Sequence, residues 1–262
     1  MPGNIAYRTA AIGEFYGAHR RTWAEFYPSE RTVFERVAGR GGSFASVLDV
    51  GCAAGGLGEA LMERFGTLAS YAGVDINRAA VDAAAGMASR IPSRRFIAAD
   101  ICDCPQLQGC EFDLVTALSV ADWNVDATGI LAACWKHVRP NGHLVASLRL
   151  TPRAGGVCDP ARSYQHIWFE PTPAPPEAER APYHVFNIDD TIGWLAGQTP
   201  RPADVYIHGY WGKPSAQART PFDRIVFSVV AMRKPAAGET VEQPTIETDL
   251  PADALTAPPR SP

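Results

Sequence analysis

Three acids and a run of glycines carry the first chemical signal in the sequence. Gly51-Cys52-Ala53-Ala54-Gly55-Gly56 follows directly on the apolar run Val47-Leu48-Asp49-Val50. Glycine lets a chain turn sharply and lets a ligand approach the backbone with no Cβ in the way. A helical pattern, Leu57 to Phe65, starts immediately afterwards, so its free N–H groups point at the same place. Asp49 sits just before that turn, Asp75 closes the apolar run Tyr71–Val74, and Asp100 closes Arg95–Ala99. An acid at the second position suits a pair of ribose hydroxyls, which donate hydrogen bonds. One at the third can accept from an adenine amino group. The expected ligand is therefore a nucleoside derivative, held at the carboxyl edge of a sheet.

The elements needed to position these residues are legible around them. Phe112–Leu118 and His143–Leu150 read as a fourth and a fifth strand. Alanine-rich Ala79–Met87 and Gly129–Val138 read as helices, the latter closed by a turn at Arg139-Pro140-Asn141-Gly142. Strands alternating with helices at this pace predict a parallel sheet with helices on both faces. Upstream, aromatic residues at helical spacing (Phe15, Tyr16, His19, Trp23 and Tyr27) predict a helical N-terminal segment over 1–44, with Ser29 capping its second helix. Residues 151–186 are proline-rich with one short strand at Tyr164–Phe169. Asp189 or Asp190 caps a following helix, and Asp204–Tyr210 and Arg224–Met232 form a late strand pair. The segment 235–262, rich in proline and without aromatic residues, reads as a disordered tail.

In order and spacing, residues 45–150 resemble the class I S-adenosylmethionine-dependent methyltransferases. The resemblance rests on Val47 to Gly56, Gly73-Val74-Asp75, Ala99-Asp100, Phe112-Asp113-Leu114-Val115 and Val138 to Leu144. It implies an α/β fold: a three-layer, Rossmann-like, seven-stranded sheet whose last strand is antiparallel, with residues 45–234 as the methyltransferase domain and 1–44 as a substrate cap. It implies S-adenosylmethionine as cofactor. Gly51 and Gly55 would pack against its methionine part with Asp49 nearby. Asp75 would hold the ribose with Ile76 against the adenine, Asp100 and Ile101 would meet the adenine edge, and Leu118 would lie beside the transferred methyl. Ala53 departs from the family's Gly-x-Gly-x-Gly loop.

For the acceptor, the residues offer geometric candidates. Asp122, just past the fourth strand, and His208, near the end of the sixth, could act as bases; a capping acid and a core histidine are the competing readings. Tyr16, His19, Arg20 and Trp23 could roof a pocket or belong to the core. Tyr164, with Arg162, Gln165 and His166, could belong to a lid formed by the 151–186 insertion. The resembling catechol-type enzymes place Asp-Asn after the fifth strand, where this chain has Ser147-Leu148-Arg149-Leu150, so metal-independent transfer to an oxygen or nitrogen of a small, sugar-like or secondary-metabolite acceptor is expected.

The glycine loop also permits a nicotinamide-dependent oxidoreductase. In that reading Asp75 is the ribose acid and the sixth strand runs parallel, so an antiparallel strand at Arg224–Met232 would count against it. A cofactor-binding protein without catalysis is a third reading. A net charge of −4 argues against a nucleic-acid partner. Cys102, Cys104 and Cys110 lack a fourth ligand at zinc spacing. With no apolar run of bilayer length and no leader pattern, a cytoplasmic location is expected.

Overall fold

The computed structural model describes residues 15, 18–168 and 172–255. Its main sheet contains β1 (Ser46–Val50), β2 (Ser70–Asp75), β3 (Ser93–Ala98), β4 (Phe112–Ala117) and β5 (Val138–Thr151). These five are mutually parallel in the order β3-β2-β1-β4-β5. A turn was expected at Pro140 and Gly142. Instead β5 starts at Val138, and a register shift between Phe112 and Leu114 of β4 absorbs the irregular residues. The small three-stranded sheet is made of β6 (Tyr164–His166), β7 (Arg180–Pro182) and β10 (Ala218–Arg219), in the order β10-β6-β7. A two-residue strand, β8 (Phe186–Asn187), pairs with the end of β5.

Beyond β5 come β11 (Ile225–Arg233) and then β9 (Asp204–Gly212). β11 is antiparallel to both neighbours. The strand predicted to run against the others does so.

The tail is a correction. β12 (Thr245–Asp249) pairs in parallel with β9 along its whole length, and a short helix follows at Ala252–Leu255. The composition of 235–262 suggests a segment unable to bury enough apolar surface to fold. The segment is held instead by ladder hydrogen bonds and charge. Glu247 accepts from Arg36 and Arg40, and Asp253 accepts from the Trp211 indole N–H and from Arg224.

Helices α1 (Pro28–Gly39) and α2 (Gly56–Phe65) cover one face of the sheet. Val33, Phe34, Leu57 and Leu61 pack there against Val47, Leu114 and Val229. Helices α4 (Ala127–Lys136) and α5 (Ile188–Ala196) cover the other face, where Ile130, Trp135 and Leu195 share a core with Leu48, Val115 and Leu148. Alternate strand residues thus feed opposite cores, as the pleat requires. Helix α3 (Arg78–Gly86) lies against β2 and β3. Two caps differ from expectation. Helix α1 begins at Pro28, with Ser29 inside its first turn, because Glu30 reaches back to accept from the Tyr27 N–H. Helix α5 is capped by Asn187, whose side chain accepts from the Asp190 N–H. No described helix is long and apolar enough to cross a membrane.

Candidate active site

A cavity of about 960 Å³ opens at the carboxyl edge of β1, β2, β4 and β5. Its first half is built by the glycine turn. Gly51 and Gly55 take left-handed φ values of 72° and 76°, and Ala53 takes 43°. A Cβ on Gly51 would overlap the Val120 side chain. Asp75 holds this loop in shape: one carboxylate oxygen accepts from the Ala53 N–H at 2.9 Å and the other from the Asn77 N–H at 2.8 Å. Burial raises the Asp75 carboxyl above its usual range, and the Asn77 and Ala53 amides oppose the rise. No side chain caps the N-terminus of α2, and Gly56 and Leu57 of its first turn line the cavity.

Asp49, Gly51, Asp75, Asp100 and Leu118 line the cavity, as do the apolar side chains of Ile76 and Ile101. Gly55 does not line it. A Cβ there would meet the Phe96 ring at 2.9 Å, so that glycine serves the packing of the turn. Asp49 lies on the cavity wall, but its oxygens are already engaged by the Tyr71 hydroxyl at 2.5 Å and the Thr116 hydroxyl at 2.7 Å. Burial pushes its carboxyl up to about 6, against the pull of those two hydroxyls.

The second half of the cavity lies over β4, β5 and the small sheet. Asp122 is buried there and pairs with the equally buried Arg149. The guanidinium donates from Nε to an Asp122 carboxylate oxygen at 2.7 Å and from Nη2 to its backbone carbonyl at 2.7 Å. Burial raises the Asp122 carboxyl and Arg149 opposes this. The Arg149 guanidinium lies 3.6 Å from the Tyr183 ring centre and 4.4 Å from that of Trp123. Gln165, His166 and Trp168 of the insertion, with Tyr210 and Lys213 from the end of β9, complete this half.

From the N-terminal side, His19 and Arg20 line the cavity. Arg20 donates from Nη2 to both oxygens of the buried Glu30, at 2.8 and 2.9 Å. Its carbonyl lies so close to α2 that a Cβ on Gly56 would overlap it.

Several candidates fall elsewhere. His208 does not line the cavity; its ring bonds Asp249 of β12 at 2.8 Å, a partner supplied by the tail that was expected to be disordered. Trp23 packs edge-on against Phe65 as part of the core. Tyr164 turns away toward Arg180, leaving Gln165 and His166 on the cavity. Tyr16 lies outside the described residues. Arg149 is the residue that sequence reasoning missed. Its signal was available as a lone charge between the leucines of Leu148-Arg149-Leu150, in a strand with apolar cores on both faces.

Comparison with known proteins gives a consistent result. A family model described as a methyltransferase domain matches residues 47–142. A trans-aconitate 2-methyltransferase from Deinococcus radiodurans is 36% identical over 105 residues, 40% of this chain and 38% of that protein. The match thus spans well under half of the curated relative. Two solved structures share the fold across most of their length. The N-methyltransferase NodS from Bradyrhizobium japonicum WM9, in complex with S-adenosylhomocysteine, has a TM-score of 0.52 at 18% identity over 85% of this chain and 96% of that one. An S-adenosylmethionine-dependent methyltransferase from Clostridium acetobutylicum has 0.51 at 14% identity over 86% and 100%. Residues 47–142 thus resemble a methyltransferase domain, and the chain, with its strand order and reversed β11, shares the fold of S-adenosylmethionine-dependent methyltransferases.

Proposed function

We propose that this protein transfers a methyl group from S-adenosylmethionine to an oxygen or nitrogen atom of a small molecule, with no metal ion in the step. The observation that carries the reading is the meeting, in one cavity, of the glycine turn, Asp75 and Asp100 at the ends of adjacent strands, with uncommitted volume continuing over β4 and β5. The first half suits a nucleoside with an amino-acid tail: Asp75 toward the ribose, Ile76 and Ile101 against the adenine, and the turn at Gly51 for the methionine chain. When bound, the cofactor supplies a methyl carbon activated by a sulfonium. The chain's own part is to hold the acceptor in line near Leu118 and exclude water, which alone accounts for much of the acceleration available to such a reaction.

Two alternatives lose support. The antiparallel β11 counts against a nicotinamide oxidoreductase. The second half of the cavity, with its buried polar side chains, counts against a protein that only binds cofactor. Among the acceptor candidates, Asp122 stays in the proposal and His208 does not.

Calorimetry tests the reading directly. S-adenosylhomocysteine should bind the wild-type protein, and Asp75→Ala should weaken that binding by tenfold or more, since it removes the ribose contact and the brace on Ala53. No heat with the wild-type protein would sink the proposal.

A further inference from the structure

The acceptor half of the cavity holds an unusual set of unmatched polar atoms. Asp122 Oδ1, Asn124 Oδ1 and Gln165 Oε1 are buried hydrogen-bond acceptors with no partner among the described residues. Arg149 Nη1 is a buried donor with none, and His166 Nδ1 is also unmatched. All five residues line the cavity. The orientation of Asn124 is fixed, because its amide nitrogen donates to the Val120 carbonyl at 2.7 Å. Leaving such groups unpaired costs about 1–3 kcal/mol each, so a cavity carrying several together is matched to a ligand that satisfies them.

The chemistry of the set narrows that ligand. A carboxylate would answer Arg149 Nη1 and would face the Asp122 and Asn124 oxygens, which can only accept. An ammonium would answer those oxygens and leave Arg149 Nη1 unmet. A hydroxyl both donates and accepts, so two or more neighbouring hydroxyls answer the whole set. The walls are aromatic: Trp168 and Tyr210 line the same cavity, and aromatic side chains can stack against the C–H side of a saturated ring, while Trp123 and Tyr183 also line it and carry the Arg149 guanidinium.

Resting on the methyltransferase reading above, we propose that the acceptor is a polyhydroxylated ring, a sugar or cyclitol, and that Asp122 Oδ1 receives the proton of the hydroxyl that is methylated. The hydroxyl oxygen forms the new bond to the methyl carbon. The carbon–sulfur bond breaks with its electron pair passing to sulfur, which becomes the neutral thioether, and the proton moves to Asp122. One positive and one negative charge disappear together, while Arg149 keeps its own charge and holds the carboxyl in place. By this account the trans-aconitate in the name of the Deinococcus relative is not this chain's acceptor.

The test uses the full chain, methyl-labelled S-adenosylmethionine and a low-molecular-weight metabolite extract of the source cells. Transferred label should resist mild base, pass a cation exchanger and bind a boronate column, as a methyl ether of a compound with remaining vicinal hydroxyls does. Label released by base as methanol, an ester product, would overturn the proposal. So would label held by the cation exchanger, or no transfer by a preparation that binds S-adenosylhomocysteine. A preparation that fails to bind S-adenosylhomocysteine overturns the methyltransferase reading itself. With the labelled product identified, Asp122→Asn should lower turnover by about a hundredfold, within the usual range for a general base, and Gln165→Leu should raise the acceptor KM several-fold. Both variants should bind S-adenosylhomocysteine like the wild type, which shows that they fold. An Asp122→Asn variant that binds normally and turns over at the wild-type rate would remove Asp122 from the proton transfer.

Discussion

Asp49 is 4% exposed and accepts hydrogen bonds on both of its oxygens from neighbouring hydroxyls. Its carboxyl is held up at about 6, well above the 3.8 of a free aspartate. The folded state therefore binds more protons than the unfolded chain between those values, and its stability falls as pH rises from about 4 to about 6. Below that window no charge is buried; above it the full cost applies, roughly 3 kcal/mol. Asp49→Asn should remove the slope, so urea midpoints of variant and wild type should diverge between pH 4 and pH 6.5 in favour of the variant. Parallel profiles would show that Asp49 is not paying for its burial. The acids of the glycine-turn half were legible because a carboxylate at a strand's carboxyl end stands out against apolar neighbours. Arg149 was not, because its partner lies 27 residues away on a turn whose path the sequence does not reveal. His208 misled for the converse reason: its partner belongs to a distant tail.

At the scale of elements, the parallel strands and the helices between them followed from periodicity, since each buries one stripe or both faces. The insertion and the tail did not. β6, β7 and β10 are two or three residues long and are held by one another and by a small core of Val157, Tyr183, Val185 and Phe222. Such contacts join distant parts of the chain and leave no local pattern. β12 is similar, largely exposed and polar, with its stabilisation coming from β9 and from charge pairs. Removing residues 244–262 would strip these contacts and uncover the backbone edge of β9. The expected loss is on the order of 1–3 kcal/mol, read as a lower urea midpoint, with a larger aggregated fraction by light scattering because an open edge templates further pairing. An unchanged midpoint would make the tail a passive addition.

For the molecule as a whole, the cavity joins elements far apart in the chain: the N-terminal segment, the carboxyl edges of four strands, the insertion and the end of β9. A ligand that touches all of them stabilises all of them. S-adenosylhomocysteine at a hundred times its Kd should add about 2.7 kcal/mol, raising the Tm by roughly 5–10 °C. A smaller rise under the same saturation would mean that binding and global unfolding are only loosely linked.

The passage of Arg20 over Gly56 has a consequence for how that N-terminal segment can be loosened. In an ordinary helix, glycine to alanine is stabilising by about 1 kcal/mol. At Gly56 the added methyl overlaps the Arg20 carbonyl, so the segment must lift before the helix can benefit. Gly56→Ala then acts as a wedge placed under the strap from inside the fold, leaving the polar groups of the cavity chemically unchanged. Trypsin reports the result, since Arg20 and Arg21 are its cleavage points: the variant should be nicked there several times faster than the wild type, and equal rates would mean that the strap yields without letting go.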